Sequence, residues 1–278
     1  MKDLTRVHQA NLQMLKEIDR ICRKYRLTYM LDAGTLIGAV RHRGFIPWDD
    51  DADVAMTRKN FDAFLKAAPD ELPSEMELVL PSAYHGGKGF YDFTPRIIYR
   101  NSSTHQQDDP EMMFYEGKLN HLWVDIFVLD HLPDSKVGAL LVKGLQTGIY
   151  GLAMGHRYHL DYAKYSFLAK PAVAAMACAG RLLPMRWILF MQHKLAVKDQ
   201  KKKTRRFYYS NYQPDFLYVT ILREWSTEVV ELPFADTKLM CPKEWHRVLT
   251  EVYGDYRKLP PKEARKPSHC TEEIRVWD

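Results

Sequence analysis

The segment FIPWDDDADVAM, residues 45–56, constrains the fold of this chain most, because it packs four aspartates into five positions of an otherwise apolar stretch. Two carboxylates about 4 Å apart repel each other by roughly 1 kcal/mol in water and by several times that near a protein surface. Such a cluster is tolerated when it is fully solvated or when a cation lies among the carboxylates. The apolar neighbours favour a cation site over a solvated acidic turn.

Calcium in an EF-hand loop is one alternative, because residues 49–53 contain the spacing DxDxD. An EF-hand loop needs glycine at its sixth position and glutamate at its twelfth. This chain has Val54 and Asn60 at those positions, which excludes the EF-hand.

A strand over residues 52–56 explains the aspartates better. Side chains alternate faces along a strand, so Asp51 and Asp53 point the same way, and Asp49 and Asp50 are left as loop residues. Two carboxylates on one side suit a Mg²⁺ (or Mn²⁺) ion that bridges to a substrate phosphate.

A second feature of the same region is a Gly-Thr pair upstream of the aspartates. Residues 27–31 read as a strand and residues 35–41 as a short helix, with Gly34 and Thr35 at the junction. The N–H groups that begin a helix attract anions, and glycine lets a phosphate approach closely. We therefore expect a phosphate-binding turn next to the metal site.

A third carboxylate, Asp125, lies inside the apolar run LWVDIFVL. An aspartate buried there must meet a cation or an arginine, because an unpaired buried charge is costly. Metal ligation is one interpretation, and a structural ion pair with Arg96 is the other. Asp125 could also accept the proton of an attacking hydroxyl. Asp130, at the predicted end of this strand, is expected to be a cap or turn residue.

Several other residues are candidates with an ordinary alternative. Arg41, Arg43 and Arg96 could clamp phosphate, although surface arginines are usually only solvated. Trp48 could line the pocket, hold a quaternary ammonium by cation–π attraction, or pack on the core. The motif HRYH, residues 156–159, is a weak zinc candidate. GxSxG, Walker and GxGxxG motifs do not occur, so serine-hydrolase, P-loop and Rossmann classes lack their signatures.

The order of elements predicts an α+β (α/β) fold with a mixed-sheet core. Residues 4–25 form a helix with apolar positions three and four apart, and strands are expected at 77–80, 96–99 and 122–129. We predict a catalytic core over 1–134, a helical insertion over 135–207, and a C-terminal part, 208–278, that packs on the core.

Composition bounds the partners. The net charge of +5 suits an anionic partner, and we expect no nucleic acid. The N-terminus lacks the apolar core of a signal peptide, and no CxxC pair occurs among Cys22, Cys178, Cys241 and Cys270. We expect a reducing, cytoplasmic location.

The most apolar stretch is residues 171–191, and charged residues and a proline interrupt it at Arg181, Pro184 and Arg186. It falls short of the roughly 18 continuous apolar residues that span a bilayer. A buried helix pair is one interpretation. Peripheral docking at the inner face of the membrane, through basic flanks, is the other.

Three segments together resemble the LicD family: YMLDAGTLIGAVRHRGFIPWDDDADVAM, WVDIFVLD about 70 residues later, and the C-terminal LPFADTKLMCPKEWHRVLTEVYGDYRKLPPKEARKPSH. The resemblance covers both ends of the chain, whereas residues 135–209 are not distinctive. It implies a nucleotidyltransferase-type fold, shared with the fukutin-related proteins.

The resemblance also implies an activity. Phosphocholine would move from CDP-choline, or a similar phosphoalcohol from its nucleotide form, to a sugar hydroxyl of a glycan or lipid-linked glycan. Gly34 and Thr35 match the turn that holds phosphate in the family, Asp51 and Asp53 match its metal-binding aspartates, and Asp125 its third acidic residue. Transfer of ribitol phosphate, glycerol phosphate or a nucleotide, and a non-catalytic binding protein, remain alternatives.

Overall fold

The computed structural model describes residues 3–267 and 274–277, and Cys270 lies outside them. Its core is a mixed sheet of seven strands, in the order β1-β2-β6-β4-β3, with β7 beside β6 and β8 beside β7. The core strands are β1 (Met30–Leu31), β2 (Ala52–Thr57), β3 (Met76–Val79), β4 (Arg96–Tyr99), β6 (Leu122–Leu132), β7 (Arg206–Tyr209) and β8 (Thr220–Leu222). Two small pairs lie outside this sheet, formed by β9 (Val229–Phe234) with β10 (Thr237–Pro242) and by β5 (Ser102–Ser103) with β11 (Arg275–Val276).

Only β2 and β6 run parallel in the core sheet, and their neighbours pair antiparallel. The helices are α1 (Thr5–Lys24), α2 (Ala33–His42), α3 (Arg58–Glu71), α4 (Pro110–Phe114), α5 (Lys136–Ala153), α6 (Ala169–Arg181), α7 (Met185–Ala196), α8 (Arg223–Ser226) and α9 (Trp245–Tyr253). These elements confirm the predicted α+β nucleotidyltransferase-like fold.

The predicted N-terminal helix is α1, and its apolar side is fully buried at Met14, Ile18 and Ile21. α1 contacts α3, and both helices pack on β6. Burial of the periodic apolar face against the sheet holds the helix, since an isolated helix gains little from its own propensity.

Element bounds differ from the predictions at two places near the site. β1 contains only Met30–Leu31 rather than residues 27–31, and α2 begins at Ala33 rather than at residue 35. Asp32 is the N-cap residue of α2, in extended conformation. The helix thus begins directly after the strand, and Gly34 and Thr35 lie in its first turn.

The prediction that Asp130 is a cap or turn residue is wrong. β6 continues to Leu132, and Asp130 is fully buried inside it. The Arg58 guanidinium donates to both carboxylate oxygens, from Nε at 3.1 Å and from Nη2 at 2.6 Å, and the Ser210 hydroxyl donates at 2.6 Å. A partner from α3 therefore compensates the charge and lets the strand run on.

The middle of the chain is helical until β7 begins at Arg206. β7 pairs antiparallel with β6, so the chain re-enters the core sheet there. Packing joins the two parts as well, because Phe90 and Phe93 share a buried cluster with Tyr150 of α5 and Ile188 of α7.

By length and composition, the described residues contain one helix apolar enough to cross a membrane, Lys136–His156, and 33% of its apolar 18-residue window is buried. α6 and α7 pass the same test only as a pair, and they bend by 113° at their junction. Sequence reasoning singled out this second stretch and did not consider the first.

Candidate active site

Four polar residues form a row across neighbouring strands of the core sheet. Asp53 of β2 lies opposite Asp125 of β6, and Asp125 lies opposite Arg96 of β4. Asp32, just after β1, donates its backbone N–H to the Asp53 carbonyl at 3.1 Å. Residues at the same level of a pleated sheet share a face, so the register collects side chains that are far apart in the chain.

Asp53 is the centre of this row and is buried, with 6% of its surface exposed. Burial raises the pKa of Asp53 well above its ordinary value, and the neighbouring carboxylates of Asp51, Asp125, Asp32 and Asp49 raise it further. The charged form is therefore costly in the protein alone. A cation beside Asp53 would reverse this, because opposite charge favours the ionised carboxylate.

Asp125 takes part in a buried ion-pair network. Its Oδ1 lies 2.8 Å from Arg96 Nε, and Trp123 Nε1 donates to its Oδ2 at 3.3 Å. Arg96 is only 3% exposed and also donates to both oxygens of Asp92, at 2.6 and 2.9 Å. The Asp–Arg pair left open by the sequence is thus present. Phosphate binding by Arg96 stays a prediction. In the protein alone its guanidinium already contacts two carboxylates, those of Asp92 and Asp125.

The Gly34-Thr35 turn lies against the acidic loop. The Thr35 hydroxyl accepts a hydrogen bond from the Asp53 N–H at 2.9 Å, which ties the first turn of α2 to β2. A Cβ at Gly34 would overlap the Asp49 carboxylate, so glycine is needed for this close approach. The N–H groups of a first helical turn have no partner within the helix, and Gly34 brings this turn close to the Asp49 carboxylate.

Helix α1 holds the acidic loop from the other side. His8 Nε2 lies 2.8 Å from the Asp49 carbonyl oxygen, and Asn11 Nδ2 donates to the Asp50 carbonyl at 3.3 Å. Asp50 is itself 3% exposed. These contacts fix the backbone of the loop, and the fold therefore determines where its carboxylates lie.

Sequence reasoning missed Asp32 and the tyrosines of the C-terminal part. Burial raises the pKa of Asp32 to about 6, against hydrogen bonds from the Ala33 N–H and the Tyr209 hydroxyl that lower it. The Tyr209 hydroxyl donates to Asp32 Oδ1 at 3.0 Å. Burial also raises the pKa of Tyr212, and Asp53 and Asp32 add to that shift, so Tyr212 lies beside the row. Asp32 carried a signal, since it directly precedes the glycine turn.

The remaining candidates lie at the margin. Arg43 ends α2 in the left-handed conformation, with φ 56°, and its side chain is exposed. Arg41 donates from Nη1 to the Tyr256 carbonyl at 2.9 Å. Trp48 is partly buried against the core, and the Arg265 guanidinium lies 5.3 Å from the centre of its ring. Arg265 therefore already occupies one cation position over this ring.

The histidine motif has a structural role. His156 Nε2 lies 3.0 and 3.1 Å from the carbonyl oxygens of Gly180 and Leu183, so the ring fastens the junction of α6 and α7. Nowhere in residues 3–267 and 274–277 do three histidine, cysteine, aspartate or glutamate side chains converge as a formed metal cage.

A magnesium site does not require such a cage. Mg²⁺ in phosphoryl-transfer sites is commonly held by one or two carboxylates, by water and by the substrate phosphates. Asp51 and Asp53 offer oxygen donors, and burial, together with the neighbouring carboxylates, raises the pKa of Asp53, so a cation there would stabilise its ionised form. The residues present fit a Mg²⁺ or Mn²⁺ ion that arrives with a phosphate-bearing substrate.

Comparison with known proteins matches this region and the rest of the chain. Residues 26–137, which contain the whole polar row, match the model of the LicD/FKTN/FKRP nucleotidyltransferase domain. Over 294 aligned residues, 98% of each chain, the protein is 28% identical to the lipopolysaccharide cholinephosphotransferase LicD of Haemophilus influenzae. It is 40% identical over 163 residues, 57% of each chain, to an uncharacterized protein of Rickettsia prowazekii.

Proposed function

The chain belongs to the LicD family, and from this premise we propose that it transfers phosphocholine, or a related phosphoalcohol, from a CDP-activated donor to a sugar hydroxyl of a cell-surface glycan or its precursor. The observation that carries the proposal is the position of Asp53. It is buried among carboxylates, next to the first turn of α2, inside the segment that matches the family.

Asp51 and Asp53 would hold the Mg²⁺ (or Mn²⁺) ion, which neutralises charge on the donor's diphosphate when it is bound. Metal ligation by Asp125 stays a prediction, and its contact with Arg96 favours a role at the acceptor side instead. Gly34 and Thr35 would present the N–H groups of the first turn of α2 to phosphate oxygens. Arg43 and Trp48, at the other end of α2 and in the acidic loop, stay candidates for contacts with the donor.

Asp125 and Arg96 would act at the acceptor side of the row. The acceptor hydroxyl oxygen attacks the phosphorus of the phosphocholine group as its proton passes to Asp125. The bond from phosphorus to the bridging oxygen breaks, and CMP leaves with the electron pair. Arg96 positions Asp125 through the 2.8 Å ion pair and is itself fixed by Asp92.

A transfer assay tests this function. Purified protein, Mg²⁺, CDP-choline and lipopolysaccharide are incubated, and CMP is measured by chromatography. We expect CMP release that requires both Mg²⁺ and the acceptor, and that falls at least about 100-fold in Asp51→Asn. The exposed Asp70→Asn variant, on α3, is the matched control and should keep full turnover. Full turnover in Asp51→Asn contradicts the proposal.

The alternatives give different results in the same format. CMP release from CDP-ribitol or CDP-glycerol, but not from CDP-choline, identifies another transferred group. Failure of every nucleotide to raise the melting temperature in the presence of Mg²⁺ identifies a non-catalytic protein.

We also propose that the protein is located at the cytoplasmic face of the membrane, because residues 135–207, the helical middle of the chain, are strongly basic. Residues 135–207 contain fourteen lysine and arginine residues and two aspartates, although the whole chain has a net charge of only +5. The rest of the protein is therefore acidic. A basic segment beside an acidic body fits the negative surface potential of anionic lipids.

Exposed apolar side chains accompany these charges. One face of α6 is exposed to solvent and carries uncharged residues three and four positions apart. Leu168, which precedes the helix, is 86% exposed, and Leu182, which follows it, is 85% exposed. Phe167 is 85% exposed beside Leu168, and Trp187 and Phe190 of α7 are more than half exposed. Apolar and aromatic residues with basic flanks are typical of helices that lie in a bilayer interface.

Sedimentation with vesicles tests this location. We expect the protein to pellet with vesicles of phosphatidylcholine and phosphatidylglycerol, less at high salt, and not with phosphatidylcholine alone. The triple variant Phe167→Ser, Leu168→Ser, Leu182→Ser should bind at least about tenfold more weakly. Met113→Ser, at a 64% exposed site outside the helical middle, is the control. Equal pelleting of wild type and triple variant contradicts the proposal. The proposal is also contradicted if the wild type binds no vesicles but forms a dimer, and the triple variant is a monomer.

A further inference from the structure

A cavity of about 560 Å³ lies between the core and the helical middle of the chain. Loops of the core contribute Tyr91, Tyr115 and Gln213 to its wall. The helical middle contributes Tyr150 from α5, Val173 from α6, and Arg157 from the segment between these two helices. Pockets that hold small ligands have volumes of this order, and they occur preferentially where two parts of a protein meet.

The cavity lies at one end of the polar row. Tyr91 lines it, and the Arg96 guanidinium carbon is 5.2 Å from the centre of the Tyr91 ring. Arg96 pairs with Asp125 in turn. The Gly34 turn is on the far side of Asp53, beside β1, so the cavity adjoins the row at the end opposite to the phosphate-binding turn.

The lining chemistry suits a neutral, hydroxyl-rich ring. Tyrosine rings offer apolar faces on which the C–H groups of a sugar can pack, and each keeps a polar tip. Arg157 and Lys164 are balanced by three acids, Glu111, Asp161 and Asp215. A diphosphate would need a surplus of positive charge, which this wall does not have, whereas carboxylates and amides hydrogen bond readily to sugar hydroxyls.

Arg157 fixes the shape of the cavity wall. Its Nη2 donates to the Tyr91 carbonyl at 2.6 Å and to the Tyr150 hydroxyl at 2.8 Å, so it joins the two walls. Its Nε is buried and has no hydrogen-bond partner among the described residues. The guanidinium carbon also lies 5.9 Å from the centre of the Tyr91 ring and 5.8 Å from that of Tyr150, so Arg157 holds these two lining tyrosines in place.

We propose that this cavity is the binding site for the saccharide acceptor, with the reacting hydroxyl directed toward Asp125. The proposal rests on the proposed transferase function, and it assigns the helical middle a role in recognising the acceptor. The donor is bound separately, at the Gly34 end of the row.

The test fills the cavity from the helical side. Val173→Trp adds bulk to the wall without touching the polar row, and Gln213→Ala removes an amide without adding bulk. Val137→Trp, at a 70% exposed position of α5 outside the lining, is the matched control. The probe is the lipid-free core oligosaccharide released from lipopolysaccharide by mild acid, so membrane contact does not enter.

Two readings are taken for each variant. Saturation-transfer NMR measures contact of the oligosaccharide with the protein, and CDP-choline titration with Mg²⁺ measures the donor. We expect Val173→Trp and Gln213→Ala to weaken oligosaccharide binding by about tenfold or more. Donor affinity should stay unchanged, and Val137→Trp should match wild type in both measurements.

The outcomes separate the two proposals. If the variants weaken the donor and spare the oligosaccharide, the cavity is a nucleotide site and the inference is overturned. Unchanged oligosaccharide binding in both cavity variants overturns it too. If wild-type protein binds the oligosaccharide through the cavity and yet releases no CMP from CDP-choline, the acceptor site stands and the proposed reaction fails.

Discussion

Replacement of Arg96 by methionine should destabilise the protein strongly. The guanidinium makes three short contacts, at 2.6 and 2.9 Å to Asp92 and at 2.8 Å to Asp125, in a side chain only 3% exposed. Methionine fills similar space but leaves two carboxylates without their cation. Breaking a buried ion pair by removing one partner costs about 3–5 kcal/mol. For a chain of this size that corresponds to a fall in melting temperature of roughly 6–20 °C.

Thermal unfolding followed by circular dichroism measures this effect, with urea midpoints as a second estimate of the free energy of unfolding. Arg100→Met is the matched control, because Arg100 pairs with Glu77 at 2.7 Å but its side chain is 50% exposed. Exposed pairs contribute about 0–1 kcal/mol, so this variant should unfold close to wild type. The double variant Arg96→Met, Asp92→Asn should recover part of the loss, because it removes one stranded charge.

The pH dependence gives a sharper criterion. The stranded carboxylates of Arg96→Met can bind protons, so the gap to wild type should be widest at pH 8 and should narrow toward pH 5. A loss below about 1 kcal/mol at pH 8, or a gap that does not change with pH, would refute the account of Arg96 as the counter-charge of this network.

Three further predictions concern neighbouring positions. Gly34→Ala should change the free energy of unfolding by less than about 1 kcal/mol, because alanine favours a helix. The new methyl group should displace the Asp49 carboxylate and lower CMP release about tenfold. CMP release equal to that of wild type would contradict this prediction. Burial raises the pKa of Asp32 to about 6, so its ionised form is penalised in the fold above that pH and the penalty is absent below about pH 4. Asp32→Asn, measured in EDTA, should therefore raise the free energy of unfolding at pH 8 by up to about 3 kcal/mol and leave it unchanged near pH 4. A stabilisation that is larger at pH 4 than at pH 8 would contradict this prediction. Arg58→Met should cost about 3–5 kcal/mol, because Asp130 is fully buried, without altering Mn²⁺ binding, since Asp130 lies on the opposite face from the row.

The sequence carried enough local information to place most strands and helices near the site. The apolar spacing of α1 identified the helix that packs on the sheet. These features depend on neighbours in the chain, so a periodic pattern predicts them. The selection of Asp51 and Asp53 by strand alternation stays a prediction, and β2 begins at Ala52, one residue after Asp51.

Contacts between distant segments could not be predicted in the same way. The row depends on the strand order β1-β2-β6-β4, which puts Asp125 between Asp53 and Arg96. A single sequence does not contain that register. The role of Arg96 stayed open for the same reason, because its partner Asp92 lies in a loop that gave no pattern.

Asp130 shows how a tertiary partner overrides a local rule. A charged residue after an apolar run normally marks the end of a strand, and the sequence predicted that end at Leu129. Arg58, from the helix after β2, compensates the charge and lets β6 continue to Leu132. Only the packing of α3 on the sheet reveals this pairing.

Manganese binding in the presence of donor is the most direct test of the central claim that Asp53 lies at the metal and phosphate centre. Electron paramagnetic resonance of Mn²⁺ is recorded for wild type, Asp53→Asn and the control Asp70→Asn, each with and without CDP-choline. We expect CDP-choline to tighten Mn²⁺ binding in wild type and in Asp70→Asn, and Asp53→Asn to lose this tightened binding while it remains folded by circular dichroism. Mn²⁺ binding by Asp53→Asn as tight as that of wild type would contradict the account.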